Sequence, residues 1–242
     1  MKATISLKGA TRLLACIVGT LVLVNLGLKF VSYYLGHDYV HGLMPVLFRL
    51  FDTDGEGNIP AWYSSLSLLL CSILLLLIAI QESREKNRYA NHWKGLAAMF
   101  FYMSMDEAVM IHELPSAPLH LAMKTSGLLY YAWVIPYSAV VLAVVVVYWR
   151  FLLSLPFETR RLFLHAGVLY VGGAIGMEML GGAYHDAVGA RNMTYTTISA
   201  IEEALEMTGV AVFLYALLRY LETRSFVLDL RVGEKTIRNG AS

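Results

Sequence analysis

Six stretches of mostly apolar residues alternate with short polar segments along the chain. At 1.5 Å per residue, a helix of about 20 residues crosses a hydrocarbon core of roughly 30 Å. We therefore predict an all-α fold, a polytopic transmembrane helical bundle of six spans that forms a single membrane domain over residues 1–242. The predicted spans lie near residues 13–34, 61–81, 95–113, 126–149, 162–184 and 198–220.

The polar segments between the spans carry two further predictions. Residues 36–60 join the first two spans as an outward loop, in which the apolar residues 43–51 predict a short helix lying in the membrane interface. Residues 221–242 follow the last span and are predicted to form a cytoplasmic tail. Pro136 lies within the fourth predicted span, where a proline frees a backbone carbonyl and is expected to kink the helix.

The distribution of basic residues predicts the orientation. With the N-terminus in the cytoplasm, only four of the 19 Lys and Arg residues lie on or near the outer side, namely Lys29, Arg49, Lys124 and Arg191. Such an excess of positive charge is typical of the cytoplasmic face. We therefore predict that both termini are cytoplasmic and that the protein is located in a bacterial inner membrane.

The composition agrees with this class and excludes others. Hydrophobic residues make up 57% of the chain, the mean hydropathy is +0.58 and only 15% of residues are charged, whereas soluble domains carry about a quarter. The net charge of +1 and the lack of a basic patch exclude nucleic acid as a partner. Cys16 and Cys71 fall inside apolar runs and are expected to be reduced and inert.

Acidic residues and histidines occur inside three of the predicted spans. The third span carries Asp106 and Glu107 with His112 and Glu113 near its end, and the fifth and sixth carry similar groups at comparable depth. Following each helix in its predicted direction places all of these acids in the outer half of the bilayer. The fifth and sixth spans contribute Glu178, His185, Glu202, Glu203 and Glu206.

Helical periodicity indicates which of these groups share a face. Asp106 and Glu113 are seven residues apart, as are Glu178 and His185, so each pair is expected on one side of its helix. We expect a carboxylate of the third span to lie within about 5 Å of one from the fifth or sixth span, near enough to share a proton or a metal ion.

Ionised acids in a bilayer require compensation, since each costs about 2.5–3.5 kcal/mol. Lys29 is the one basic residue at comparable depth and is expected to turn toward the acids. Carboxylates and imidazoles together are typical ligands of iron, manganese or zinc. We predict a divalent transition metal bound by members of the set Asp106, Glu107, His112, Glu113, Glu178, His185, Glu202, Glu203 and Glu206. A hydrogen-bonded network that only joins helices is the structural alternative.

The glycines of the fifth span admit two interpretations. Gly172, Gly173, Gly176, Gly181 and Gly182 surround Glu178 in the sequence. Small residues allow helices to approach closely in lipid, which favours a packing role. The same residues would also leave space for a ligand beside the acids.

Residues 52–59 match the beginning of an EF-hand calcium loop, with acidic or amide side chains at the first, third and fifth positions and glycine at the sixth. The twelfth position is Tyr63, which lacks the bidentate carboxylate of a calcium loop, so calcium binding is not expected here. The alternative is a polar turn that caps the second span, with Pro60 in its first turn.

Three segments together resemble a group of uncharacterised bacterial multi-span membrane proteins. They are residues 58–64 (NIPAWYS) at the start of the second span, residues 104–107 (SMDE) with His112 and Glu113, and residues 202–207 (EEALEM) in the sixth. The resemblance covers most of residues 50–220. It implies the same topology and the same polar residues, and it brings no activity, cofactor or substrate.

Three classes of function remain open. The first is a metal-binding membrane enzyme that acts on a lipid or a quinone-like substrate. The second is an accessory or assembly subunit of a larger membrane complex, whose acids would pair with a partner protein or a second copy. The third is a proton- or cation-coupled transporter, against which the missing internal repeat weighs. The lipid bilayer is a partner in all three.

Overall fold

A computed structural model describes residues 7–35, 43–52, 57–190 and 192–224. These residues form helices joined by turns, and they contain no strand. The helices are α1 (Leu7–Leu35), α2 (Met44–Phe51), α3 (Ile59–Arg84), α4 (Ala90–Val109), α5 (Ser116–Met123), α6 (Val134–Ser154), α7 (Phe157–Val171), α8 (Glu178–Val188) and α9 (Met193–Thr223). A π-helical segment, Gly172–Met177, joins α7 to α8 without a break.

Five segments are long and apolar enough to cross a membrane, as expected of a multi-pass membrane protein. They are Gly9–Val31, Ile59–Arg84, Val134–Ser154, Phe157–Val188 and Met193–Thr223. The third predicted span corresponds to α4, which has 20 residues and packs along α3. Its polar residues lower its hydropathy, so its crossing of the membrane stays a prediction.

Helix α4 ends earlier than the sequence predicts. Met110 adopts a left-handed conformation with φ 56°, and its N–H donates to the carbonyl of Asp106. His112 and Glu113 then lie in a separate 3-10 turn, Ile111–Glu113. The prediction that Asp106 and Glu113 share a helix face is therefore wrong, because the chain turns between them.

The predicted kink at Pro136 is also wrong. Helix α6 begins at Val134, so Pro136 lies in its first turn. The first backbone N–H groups of a helix have no partner within the helix, and a proline there removes no hydrogen bond. The described residues 127–133 before it form a short 3-10 turn and a bend instead of the start of the span.

The turn before α3 is a helix cap. The Asn58 side-chain oxygen accepts from the N–H of Ala61 at 2.9 Å, and its amide donates to the carbonyl of Asp52 at 2.6 Å. Pro60 lies in the first turn of α3. The capping interpretation of this turn is confirmed, while residues 53–56 of the calcium-loop pattern lie outside the described residues.

Lys29 does not follow the prediction that it turns toward the acids of the other spans. Its Nζ lies 2.6 Å from Oδ1 of Asp52, at the end of α2. Helices α1 and α2 pack against each other, so this carboxylate is within reach of the lysine stem. An ion pair therefore joins the end of α2 to α1.

Two further predictions concern the loop between the first two spans and the C-terminal tail, and the structure describes part of each. Helix α2 occupies the position of the predicted interfacial helix, and residues 36–42 of the same loop lie outside the described residues. Helix α9 continues to Thr223, and residues 225–242 of the predicted tail also lie outside them.

Helix α9 is the centre of the bundle. It packs against α1, α3, α7 and α8. Its buried residues Phe213 and Leu217 meet Trp93 and Phe100 of α4 in one apolar core, where the rings of Phe100 and Phe213 stack with centroids 4.5 Å apart. The acids of α9 are thus carried by the most enclosed helix of the described bundle.

The close crossing of α9 with the π-helical segment depends on Gly173. A Cβ at this position would lie 2.9 Å from the carbonyl oxygen of Glu202 and 2.9 Å from Cγ of Glu206. At the adjacent Gly172, a Cβ would meet nothing within 4 Å. The packing role predicted for the glycines therefore applies to Gly173.

We expect Gly173→Ala to lower the free energy of unfolding by about 1–2 kcal/mol, because the added methyl overpacks a helix crossing. Gly172→Ala is the matched control, since it changes the same kind of backbone without a clash and should be close to neutral. Thermal unfolding of both variants in the same lipid nanodiscs would measure the difference. Equal stabilities would contradict the close crossing.

Candidate functional site

A cavity of about 1360 Å³ lies between α6 and the surface formed by α4, α7, the π-helical segment and α9. Helix α6 makes no extensive contact with any other described helix. It stands away from the bundle along its middle and is held at its two ends. The cavity is the space that this separation leaves.

At one end, hydrogen bonds and rings connect α6 to α4 and the turn that follows it. The hydroxyl groups of Tyr102 and Tyr137 lie 2.8 Å apart. The ring of His112 packs edge-on against Trp133, with centroids 4.8 Å apart. All four side chains line the cavity.

At the other end, an aromatic cluster joins α6 to α4. Phe151 is 2% exposed, and its ring meets Trp93 at 5.0 Å and His92 at 5.5 Å. The hydroxyl of Tyr148 occupies the position next to Gly95 where a larger residue would place its Cβ. Tyr148 and Phe151 line the cavity, and this cluster is here named the aromatic floor.

Carboxylates from three helices converge at the end opposite the aromatic floor. Glu206 interacts electrostatically with Glu107 of α4, Glu178 of α8, and Glu202 and Glu203 of α9. We name the part of the cavity lined by these five residues and Asp106 the acidic end. The expected separation of about 5 Å between carboxylates of different helices stays a prediction.

Two hydrogen-bonded pairs order the acidic end. Asp106 accepts from the backbone N–H of His112 at 2.6 Å, and its other oxygen lies 3.3 Å from Nδ1 of the same residue. The indole N–H of Trp133 donates to Glu178 at 2.9 Å. These contacts hold Asp106 against the 3-10 turn that follows α4, and they hold Glu178 of α8 against Trp133, directly before α6.

The structure separates His185 from the other predicted site residues. His185 does not line the cavity, and its Nδ1 lies 2.7 Å from the hydroxyl of Tyr131. That hydroxyl also lies 2.9 Å from the hydroxyl of Tyr195, and both tyrosines line the cavity. His185 thus lies behind the cavity wall, where it binds the side chain of Tyr131. Glu113 lines the cavity but is exposed.

The structure does not show a preformed group of ligands for the metal ion predicted from the sequence. Among residues 7–35, 43–52, 57–190 and 192–224, no group of three or more His, Cys, Asp or Glu side chains is arranged to hold a metal ion. Metal binding by the nine predicted residues stays a prediction.

The glycines divide between the two roles expected of them. Gly173 packs against α9, and a Cβ on Gly182 would meet the ring of Tyr131 at 3.0 Å. Gly172 and Gly176 line the cavity, and a Cβ on either would meet nothing within 4 Å. These two glycines therefore leave open space beside the acids.

Between the acidic end and the aromatic floor the cavity wall is apolar. Helix α6 presents one face of valines to it, and α7 and α9 complete the wall. The lining residues include Val140, Val141, Val144, Val145, Leu164, Val168, Val171, Ile175 and Val210. A single cavity thus joins a charged end to an apolar channel.

Sequence reasoning missed the aromatic lining of the acidic end. Tyr102, Tyr137 and Tyr195 each line the cavity, and Trp133 donates to a carboxylate. The signal available was the dense aromatic segment at residues 130–137, directly before an apolar span. Because tryptophan and tyrosine are also enriched at membrane interfaces, this segment was interpreted from the sequence as an interface and not as part of a binding site.

Comparison with known proteins gives one match. The family described as "Domain of unknown function (DUF8692)" matches residues 13–221. No curated protein and no solved structure matches the chain. The chemistry of the site therefore has to be derived from its own residues.

Proposed function

The chain belongs to the family described as a domain of unknown function, and we propose from its cavity that it is a membrane protein that binds a cationic amphiphile. The bound molecule would carry a protonated amine or a quaternary ammonium group on a single apolar chain. The observation that carries the proposal is the continuity of the acidic end with the apolar channel in one cavity of about 1360 Å³.

The charge of the acidic end favours a positively charged head group. Seven acidic side chains line the cavity, and no Lys or Arg does so within the described part of the chain. Ionised acids without compensation are costly inside a membrane. A bound cation would offset their repulsion, because opposite charges at close range favour the ionised form.

The aromatic rings favour the same head group. Tyr102, Tyr131, Trp133, Tyr137 and Tyr195 line the cavity around or beside the acids. A ligand cation over such a ring gains about 0.5–2 kcal/mol, and recognition of quaternary ammonium groups commonly uses several rings together. Carboxylates combined with aromatic rings therefore suit an ammonium group better than an anionic or neutral one.

The separation of α6 supports entry of the ligand from the bilayer. Helix α6 makes no extensive contact with α7 or α9, and its opposite face is exposed, with Val146 77% and Val147 62% accessible. One face of the helix would thus meet lipid while the other meets the ligand. A molecule dissolved in the bilayer would reach the channel without crossing water.

The predicted topology gives the acidic end a position in the membrane. Six spans, with α4 counted among them and both termini cytoplasmic, would place the acidic end toward the outer side of a bacterial inner membrane. Among the three classes left open, a protein that acts on a lipid-like molecule agrees best with the channel. The accessory-subunit and transporter classes have no specific feature of the cavity in their favour.

The test compares three head groups on one chain. Purified full-length protein in nanodiscs is mixed with dodecyltrimethylammonium, dodecanol or dodecanoate, and its thermal unfolding is followed. A ligand that binds only the folded state stabilises it. We expect the ammonium compound alone to raise Tm, by about 5 °C near saturation. Equal effects of the three compounds, or none, would contradict the proposal.

A substitution inside the cavity tests whether the rise in Tm comes from binding there. Gly176→Phe places a ring where a Cβ meets open space, and it should abolish the Tm rise. Gly19→Phe is the control, because Gly19 of α1 is also open at its Cβ and does not line the cavity. Metal analysis of the same preparations, made without chelator, tests the separate prediction of a transition metal.

A further inference from the structure

One side of α7 carries positive charge at its start and apolar side chains beyond it. Side chains three, four, seven and eleven residues apart lie on the same side of an α-helix. From the first residue of α7, these positions are occupied by Phe157, Arg160, Arg161, Leu164 and Val168. We name these five residues the α7 face.

The two arginines of the α7 face are gathered over one ring. The guanidinium carbon of Arg160 lies 5.6 Å from the centroid of the Phe157 ring, and that of Arg161 lies 5.5 Å from it. A guanidinium N–H of Arg160 also donates to the carbonyl of Leu153 at 3.4 Å. Two positive charges are thus held beside a single aromatic side chain.

The protein does not neutralise these two charges. The neighbouring acid, Glu158, forms its ion pair with Arg219 of α9. Within the part of the chain that the structure describes, neither Arg160 nor Arg161 forms an ion pair with a carboxylate. Guanidinium groups bind phosphate oxygens through two parallel N–H groups, so both arginines are available to a phosphate.

The rest of the α7 face is apolar and exposed. Phe157 is 61% accessible, Leu164 45% and Val168 72%. Phe157 is also the first residue of the apolar segment Phe157–Val188, which is long enough to cross a membrane. The arginines would therefore lie at the level of the lipid head groups, and Leu164 and Val168 at the level of the acyl chains.

We propose that the α7 face binds an anionic phospholipid, with its phosphate on Arg160 and Arg161 and one acyl chain along Leu164 and Val168. An apolar face alone would accept any lipid. Two guanidinium groups without a carboxylate favour a head group of net negative charge, because a zwitterionic head group brings a positive charge of its own. The α7 face contains none of the acids of the acidic end, so this inference does not depend on the proposed function.

The experiment measures the preference for an anionic lipid directly. Full-length protein in a neutral detergent is titrated with phosphatidylglycerol or with phosphatidylcholine of the same acyl chains, and bound lipids are counted by native mass spectrometry. We expect phosphatidylglycerol to bind about tenfold more tightly. The double substitution Arg160→Gln and Arg161→Gln should remove most of this preference. Equal affinities in the native protein, or a preference that the double substitution leaves intact, would refute the proposal.

A matched control separates the α7 face from the total charge. Arg84 at the end of α3 and Lys94 in the first turns of α4 are exposed, so Arg84→Gln with Lys94→Gln removes the same two charges and should keep the preference. Equal losses in the two double variants would overturn the assignment to α7. Glycerol 3-phosphate should not displace phosphatidylglycerol at equal concentration, and displacement would mean that the site binds free phosphate instead of a lipid.

Discussion

Replacing Glu82 with alanine should lower the free energy of unfolding by about 3–5 kcal/mol, because it removes the acceptor of a buried polar network. Glu82 is 2% exposed. The hydroxyl of Tyr220 donates to it at 2.7 Å, the Asn87 amide donates to its second oxygen, and Arg224 lies 3.4 Å away. The alanine would leave these groups without their acceptor and would leave a void between α3 and α9.

The chain provides a matched control for this prediction. Glu158 also pairs with an arginine of α9, Arg219, but Glu158 is 66% exposed and the arginine 40%. Exposed pairs contribute only about 0–1 kcal/mol, so Glu158→Ala should have little effect. Unfolding of both variants in nanodiscs, by heat or by detergent titration, measures the difference. Similar losses would show that burial of Glu82 does not govern its contribution.

Replacing Glu206 with glutamine should raise the free energy of unfolding of the ligand-free protein, because it removes one acid from a cluster of carboxylates. Glu206 interacts with four other carboxylates. Glutamine keeps the size of the side chain and removes its share of the repulsion.

The sign of this effect distinguishes three interpretations of the acidic end. A cluster of charges awaiting a cation predicts a more stable variant that has lost its Tm response to dodecyltrimethylammonium. A bound metal predicts a less stable variant, because metal held only by the folded state contributes to folding. A network of protonated acids predicts almost no change. Thermal unfolding with and without the ammonium compound separates the three outcomes.

Glu113→Gln is the control for the glutamine substitution. Glu113 also lines the cavity, but it is exposed and is not among the groups that act on Glu206. Solvent screens an exposed charge, so its removal should change stability by less than about 1 kcal/mol. An equally large gain would mean that total charge, and not the position of Glu206, determines the effect.

The sequence determined the features that depend on local chemistry. Long apolar runs predicted the helices, and Asn58 with Pro60 predicted the cap of α3, which the bond to Ala61 confirms. The acids of α4, α8 and α9 were expected at one depth because rise per residue is fixed along a helix. Their arrival at one cavity follows from that common depth once the three helices are neighbours.

Only the tertiary structure decided which groups meet. Lys29 was expected near the acids, yet it pairs with Asp52 because α1 packs on α2. His185 was grouped with Glu178 by helical spacing, but Tyr131 holds it behind the cavity wall. Hydropathy specifies how deep a residue lies and leaves its rotation and neighbours open, since lipid solvates every apolar face equally well. The gap beside α6, and with it the site, depends on contacts at the two ends of that helix.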